Sequence, residues 1–277
     1  MNQARSPFAQ AVLQRNFPDD RITSTGVEAF NGTPFLDAVV TLAQRWKVPI
    51  TKKSSTSAEY DRNDLLGADL IITADDYQLD FIKAMGYQGP IRSYEEVIND
   101  TDFIPADPDG MTFDGISREL GKVGAVTLRA VIEAKGFPHQ HRITSFIPHG
   151  ISDLTLALTR GQFERVAQGA ILLDADLRAP DISGLAELGL EPLFFNSEDL
   201  PAIDPTAINQ NQILIHRRQL DYPESVFLSP DWRNFVQRLA DSAPVVIITA
   251  PRHSQLRKLP DSYLASYMSD EFGVISS

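Results

Sequence analysis

The sequence predicts an α/β protein of two three-layer domains, each with a mainly parallel sheet. Three observations carry that expectation. Short apolar runs alternate with longer stretches of helical spacing through both halves of the chain, and such alternation builds parallel sheets covered by helices. The pattern breaks at Gly136-Phe137-Pro138 and then restarts. The 277 residues also fit two ordinary domains of roughly 100–200 residues each. The domains are therefore placed at 1–136 and 142–277, with 137–141 as the linker.

Taken in order, Pro7 opens a helix that continues through Ala9–Leu13, because proline suits the first turn. Arg21–Gly26 reads as a short strand and turn. Phe35–Trp46 has helical spacing, with Leu36, Val39, Val40, Leu42 and Ala43 on one side. Asp69–Thr73 reads as a buried strand, Gln78–Met85 as a helix stopped by Gly86, and Pro90–Tyr94 as a second short strand. A loop rich in Asp, Pro and Gly follows Asp102. Ile116–Ala134 is a long amphipathic helix ended by Gly136 and Pro138. Beyond the linker come a strand at Arg142–Ile147, a loop at Pro148-His149-Gly150, a helix over Ser152–Ala167 and a strand at Ala170–Asp174. The Pro-rich stretch 192–210 reads as irregular. Strands at 213–216 and Pro244–Thr249 flank a helix at Asp231–Leu239.

Composition narrows the function classes. A net charge of −12 repels phosphate backbones and anionic lipid, so neither nucleic acid nor a membrane surface is an expected partner. There is no cysteine, hence no disulfide framework, thiolate metal site or cysteine nucleophile in these residues. No apolar run approaches the roughly 18 residues of a membrane span, and Met1–Arg5 has no apolar leader segment. A cytoplasmic location is expected. The five histidines show no ligand spacing, so no metal and no cofactor is expected.

Residues 2–9 invite a chemical reading. Asn2 and the run Arg5-Ser6-Pro7 sit just before a helix. Amides at a helix start attract an oxyanion, and an Arg there grips it bidentately. The plainer alternative is a solvated Arg5 with Ser6-Pro7 as a helix cap.

The first half resembles the low-molecular-weight protein-tyrosine phosphatase family. Asn2, Arg5, Ser6 and Pro7 match the second part of that family's loop, Cys-x-Gly-Asn-x-x-Arg-Ser-Pro. Ser24-Thr25-Gly26 resembles its Ser-Ala-Gly, Ala68–Asp76 its third strand and following loop, Ile104–Gly110 its late Asp-Pro loop, and 114–134 its final helix. The resemblance implies a thiolate that attacks a phosphoryl group, an Arg and loop amides that hold the oxygens, and an Asp that protonates the leaving phenol. Carried over, Arg5 clamps phosphate and Asp107 is the general acid. Asn2 and Ser24 brace the loop, and Ser6 hydrogen-bonds the nucleophile. The implied substrate is a phosphotyrosine protein.

The departure from the family lies at the start. Counting back from Arg5 places the cysteine upstream of Met1, together with a strand that in this fold is central. Its loss leaves unpaired ladder groups and a gap in the core. Either the natural chain carries that strand and cysteine upstream, or the chain is a non-catalytic remnant. The abrupt start inside a motif favours the first.

In the second half, Ala170–Pro180 contains a strand ending in Asp174-Ala175-Asp176-Leu177-Arg178. Carboxylates so spaced can hold Mg²⁺ and its waters beside phosphates, or can be no more than a strand-end turn. The run resembles the second Walker motif of the bacterial tyrosine kinases of polysaccharide export (BY-kinases). Thr144–Ser152 lies where their Walker A loop would be, and Val245–Pro251 resembles their Walker B strand. A P-loop needs a Lys for the phosphates, and here Ile151 replaces it. Thr249 stands at the Walker B Asp position. The resemblance therefore implies a P-loop fold without ATP catalysis, in which Ser152, Asp174 and Asp176 are the remaining nucleotide-site positions.

The expected function is a protein-tyrosine-phosphatase homologue linked to exopolysaccharide or capsule control, with a bacterial tyrosine kinase as a further candidate partner. The alternative is a non-catalytic regulator that binds phosphotyrosine or the kinase. An arsenate reductase, which shares the fold, also needs thiols.

Overall fold

The computed structural model describes residues 2–98, 104–137, 142–146, 169–177, 189–209, 212–248, 264–269 and 272. The chain divides into two compact units, Met1–Gly136 and Phe137–Ser277. Each is a mixture of helices and parallel strands, the class that the alternating pattern predicts.

The first unit is organised around one long helix. Its helices are α1 (Arg5–Asn16), α2 (Asp37–Arg45), α3 (Arg62–Leu66), α4 (Asp76–Ala84), α5 (Tyr94–Val97) and α6 (Phe113–Lys135). Its strands are β1 (Ile71–Thr73) and β2 (Ile91–Ser93), paired in parallel. Thr112 caps α6 by accepting the Gly115 amide at 3.3 Å, and Gly136 ends it at φ 62°, a conformation that costs glycine nothing. Sixteen of its residues are buried, so α6 is a central helix rather than a surface one. Both α1 and α2 pack on it. In α1, Phe8, Val12 and Leu13 share one buried stripe, and the Phe8 ring meets Trp46 edge-on at 5.7 Å. Truncating either ring to alanine would cost about 3–5 kcal/mol.

The expected strand over 21–26 does not form. One parallel bridge, Gly26 to Ser57, is the only β contact there among the described residues. Alternation along Arg21-Ile22-Thr23-Ser24 is compatible with a strand, but a strand also needs a neighbour to take up its ladder bonds. The helix expected from Gln78 begins earlier, at Asp76, because Asp75 caps it by accepting the Gln78 amide at 2.9 Å.

The second unit carries a five-stranded parallel sheet. Its strands are β3 (Ile143–Phe146), β4 (Ile171–Asp174), β5 (Glu191–Phe195), β6 (Gln212–His216) and β7 (Val245–Ile248), in the order β3-β7-β4-β6-β5. Buried on both faces, β4 and β7 are continuous apolar runs, as interior parallel strands are. Leu172, Ile213, Ile215, Val246 and Ile248 form one core cluster across them. Helices α7 (Glu224–Phe227) and α8 (Pro230–Ser242) follow β6. Ser229 caps α8 with Pro230 at its first position, and Trp232, Phe235, Val236 and Leu239 make its buried face.

The irregular reading of 192–210 is corrected at its start. β5 occupies Glu191–Phe195 and, among the described residues, pairs only with β6. Pro192 lacks an amide to donate, which an edge strand tolerates and an interior strand does not. Two short 3₁₀ turns, Ser197–Asp199 and Pro205–Ala207, follow. The expected loop at 148–150, the helix over 152–167 and the ends of the strands at Ile147 and Thr249 lie outside the described residues.

Candidate functional site

Arg5 is the first residue of α1, and the residue before it, Ala4, offers no side chain to cap the helix. No side chain caps the first turn, in which Arg5 and Ser6 have amides, Pro7 has none and Phe8 donates to the Ala4 carbonyl at 3.3 Å. Arg5 reaches across the fold. One terminal nitrogen donates to the Pro105 carbonyl at 3.3 Å, and the other meets the Asp107 carboxylate at 3.3 Å. The Arg5 side chain is 16% exposed and that of Asp107 55%. The two proposed catalytic positions thus lie side by side, although 102 residues separate them in sequence.

The loop that presents Asp107 is held from behind. Asp107 accepts the Asp109 amide at 3.2 Å, and Gly110 turns the chain at φ 72°. Glu119, buried on α6, accepts the Ala106 amide at 2.8 Å. The same carboxylate pairs with Arg118 at 3.2 Å and Lys122 at 3.4 Å. Sequence reasoning did not single out Glu119; its signal is a lone acidic residue on the apolar side of a long helix.

Asn2 is fully buried, and its Nδ2 has no hydrogen-bond partner among the described residues. Its Oδ1 accepts from the Lys52 ammonium at 3.4 Å. Lys52 also donates to the Ser24 carbonyl and to the Thr56 hydroxyl, the latter at 2.8 Å. Burial pushes the Lys52 amine below its ordinary value, with Asp61 acting in the opposite sense. Lys52 too escaped the sequence reading, since nothing in Thr51-Lys52-Lys53 distinguishes a half-buried anchor from a solvated charge. Gly26 closes this corner. A Cβ there would stand 2.7 Å from the Asn2 backbone nitrogen and 2.9 Å from its Cβ.

The remaining expected positions fall as follows. The Ser24 hydroxyl donates to Gln10 on α1 at 2.7 Å, so it braces the helix that bears Arg5. Ser6 is half-buried in the first turn of α1. Both line a cavity of about 700 Å³ bounded by α1, residues 19–25, β1 and α6. Chemically, Arg5 and the open amides of α1 suit an oxyanion, for which Asp107 is the resident competitor. None of these 277 residues is a cysteine.

In the second unit, Asp174 and Asp176 are buried where β4 ends. Asp174 accepts the Asp176 amide at 2.9 Å, a strand-end turn. Ser152, Ile151 and Thr249 lie outside the described residues, as do His139, His141, His149 and His253. No cluster able to hold a metal ion occurs among the described residues. His216 is 3.0 Å from the Ser197 hydroxyl and 2.6 Å from the Arg218 carbonyl, with Phe195 edge-on against its ring. These contacts fasten β6 to the turn after β5. Among the described residues no helix is long and apolar enough to cross a membrane.

No family model matches the chain, and no curated protein matches it. Its similarity to solved structures runs to bacterial tyrosine phosphatases over about half its length. The tyrosine phosphatase AmsI of Erwinia amylovora aligns at 20% identity and a TM-score of 0.42, covering 48% of this chain and 86% of that one. The tyrosine phosphatase Wzb of Escherichia coli aligns at 18% and 0.41, covering 48% and 92%. A low-molecular-weight phosphotyrosine phosphatase of Vibrio cholerae aligns at 16% and 0.41, covering 49% and 92%.

Proposed function

We propose that residues 1–136 form a protein-tyrosine-phosphatase homologue that takes phosphotyrosine-bearing protein at Arg5. The observation that carries this reading is the meeting of Arg5 and Asp107 at the open start of α1. A phosphate monoester placed there finds a bidentate guanidinium and free amides, and a carboxyl group beside the ester oxygen. Hydrolysis by a thiolate needs a group that these 277 residues do not contain. Turnover by that chemistry requires a thiolate from outside these residues, whereas binding at Arg5 does not.

On the same reading, 137–141 is a linker and 142–277 a degenerate BY-kinase-like P-loop domain. Its support is positional. β3, β7 and β4 are adjacent and parallel, so their C-terminal ends, Phe146, Ile248 and Asp174, lie side by side at one end of the sheet. Ligands of open parallel sheets bind beyond that edge. The pairing of the two halves suggests a cytoplasmic phosphotyrosine circuit of exopolysaccharide or capsule synthesis, with a tyrosine kinase as partner.

The test is a titration with a phosphotyrosine peptide and its unphosphorylated twin, followed by fluorescence anisotropy. The phosphorylated peptide should bind at least about tenfold more tightly, and Arg5→Ala should abolish that preference. Equal affinity for the two peptides, or a preference that survives Arg5→Ala, would refute the reading.

A further inference from the structure

In the second unit β6 ends on a histidine, and the chain that leaves β5 brings a serine to it. Phe195 and His216 stand opposite each other in the parallel register of β5 and β6, so Asn196 and Ser197 emerge beside the imidazole. His216 is 3% exposed, whereas Ser197 is only half-buried. Three contacts set the ring. Its Nδ1 lies 2.6 Å from the Arg218 carbonyl and 3.3 Å from the Arg218 amide. A carbonyl oxygen only accepts, and the shorter contact decides, so Nδ1 carries the proton. The neutral ring then has its lone pair on Nε2, where the Ser197 hydroxyl donates at 3.0 Å. The Phe195 ring stands at 90° to the imidazole, with centroids 5.3 Å apart, and packs against its flank.

The serine is held as well. Asn196 gives its backbone amide at 2.8 Å and its side-chain amide at 2.9 Å to the Asp199 carboxylate. Just beyond, Arg238 of α8 donates to the carbonyls of Leu200 and, at 2.9 Å, of Ile203. The turn that carries Ser197 is therefore pinned at its start and past its end. A histidine that only fastens two strands needs no more than satisfied nitrogens. This one aims a lone pair at a half-buried hydroxyl while a carbonyl holds its other nitrogen, the order of nucleophile, base and orienting group. The pair also stands at the C-terminal end of a parallel sheet, the end at which ligands of open α/β sheets bind.

We propose that Ser197 and His216 are the nucleophile and general base of a site that cleaves carboxylic esters, with the Arg218 carbonyl orienting the ring. The Ser197 Oγ attacks the ester carbonyl carbon, and its proton passes to His216 Nε2. The tetrahedral adduct collapses with cleavage of the ester C–O bond, and the departing alcohol oxygen takes the proton from Nε2. Water then adds to the acyl-serine and gives a proton to Nε2. The carboxylic acid leaves as that proton returns to the Ser197 oxygen. The Ser197 and Glu198 amides donate to no acceptor among the described residues, which leaves them for a developing oxyanion. The inference concerns the second unit alone. It depends neither on phosphate recognition at Arg5 nor on the P-loop reading.

The test treats the full chain with a fluorophosphonate, which phosphonylates an activated serine, and locates the label by peptide mass spectrometry. The label should fall on Ser197, and Ser197→Ala should remove it. Hydrolysis of p-nitrophenyl acetate should drop in Ser197→Ala to the rate of the same buffer without protein. His216→Gln keeps a polar side chain of similar size but offers no base, and labelling should slow by about 100-fold or more. Circular dichroism confirms that each variant is folded; if either is not, the labelled peptide of the parent chain decides. Three results would overturn the proposal: a parent chain left unlabelled at Ser197, ester hydrolysis that survives Ser197→Ala, or a folded His216→Gln labelled at the parent rate. Each would reduce the pair to a fastening between β6 and the turn after β5.

Discussion

Replacing Glu119 tests whether a buried carboxylate holds the Asp107 loop in place. In Glu119→Ala the Ala106 amide loses its acceptor at 2.8 Å, and α6 loses the charge shared by Arg118 and Lys122. A hydrogen bond to a buried charged group contributes about 1.5–3 kcal/mol. The Arg118 pair adds little, because that side chain is 41% exposed. The Lys122 pair adds more, since both side chains are nearly enclosed. The sum is about 2–4 kcal/mol. Glu119→Gln keeps an oxygen for Ala106 and should cost about half as much. The chain has two tryptophans, Trp46 in the first unit and Trp232 in the second, both fully buried. Urea unfolding followed by Trp46 fluorescence, in a Trp232→Phe background, therefore reads the first unit alone. With a slope of about 1–3 kcal/mol per molar urea, the Ala midpoint should fall by about 1–2 M. The Ala106 and Asp109 amides should exchange faster before those of α6 do. An Ala variant within about 0.5 kcal/mol of the parent, or a Gln variant as damaged as Ala, would refute the anchoring role.

Three further outcomes follow from the same geometry. Gly26→Ala should destabilise the first unit by about 1–3 kcal/mol, because its Cβ would strike Asn2 backbone at 2.7 Å and neither segment is a flexible side chain; an unchanged urea midpoint contradicts that packing. Asp107→Asn should tighten phosphotyrosine-peptide binding about two- to fivefold, by removing an exposed ion-pair competitor that holds about 0.2–1 kcal/mol; weaker binding would mean that Asp107 assists the ligand. Lys52 titrates below its ordinary value because burial penalises the ammonium, so the unfolded chain binds more protons between the two values and stability should rise with pH across that alkaline window; Lys52→Met should flatten that slope, and an unaltered slope assigns it elsewhere.

What the sequence disclosed and what it hid divide along one physical line. Elements whose formation is decided locally were legible. α6 has its periodic apolar residues, its Thr112 cap and its Gly136 stop all within one stretch of chain. β4 and β7 announce themselves as apolar runs because both faces are covered. Elements decided by a distant neighbour were not. β5 exposes most of its length and tolerates Pro192 only because it lies at an edge, a fact fixed by β6 twenty residues later. Arg21–Gly26 carries a strand-like pattern and still forms no ladder, because pattern sets which face is apolar and pairing sets whether a strand exists.

The candidate site follows the same division. Arg5 and Asp107 are 102 residues apart, and only the resemblance to a phosphatase loop placed them in one site before their contact at 3.3 Å was seen. Lys52 and Glu119 belong to no motif, yet they fix the two sides of that site. Lys52 ties Asn2 to the Ser24 carbonyl, and Glu119 ties the Asp107 loop to α6. Both are charged residues that bond backbone groups far away in sequence, a pairing that no local spacing records. Neither supporting contact involves the nucleophile position. On the proposed reading, phosphate binding at Arg5 therefore rests on the contacts of Arg5, Lys52 and Glu119 and not on a thiol. That separates retention of binding from retention of chemistry, and it makes the Arg5→Ala titration and the Glu119 series independent measures of one site.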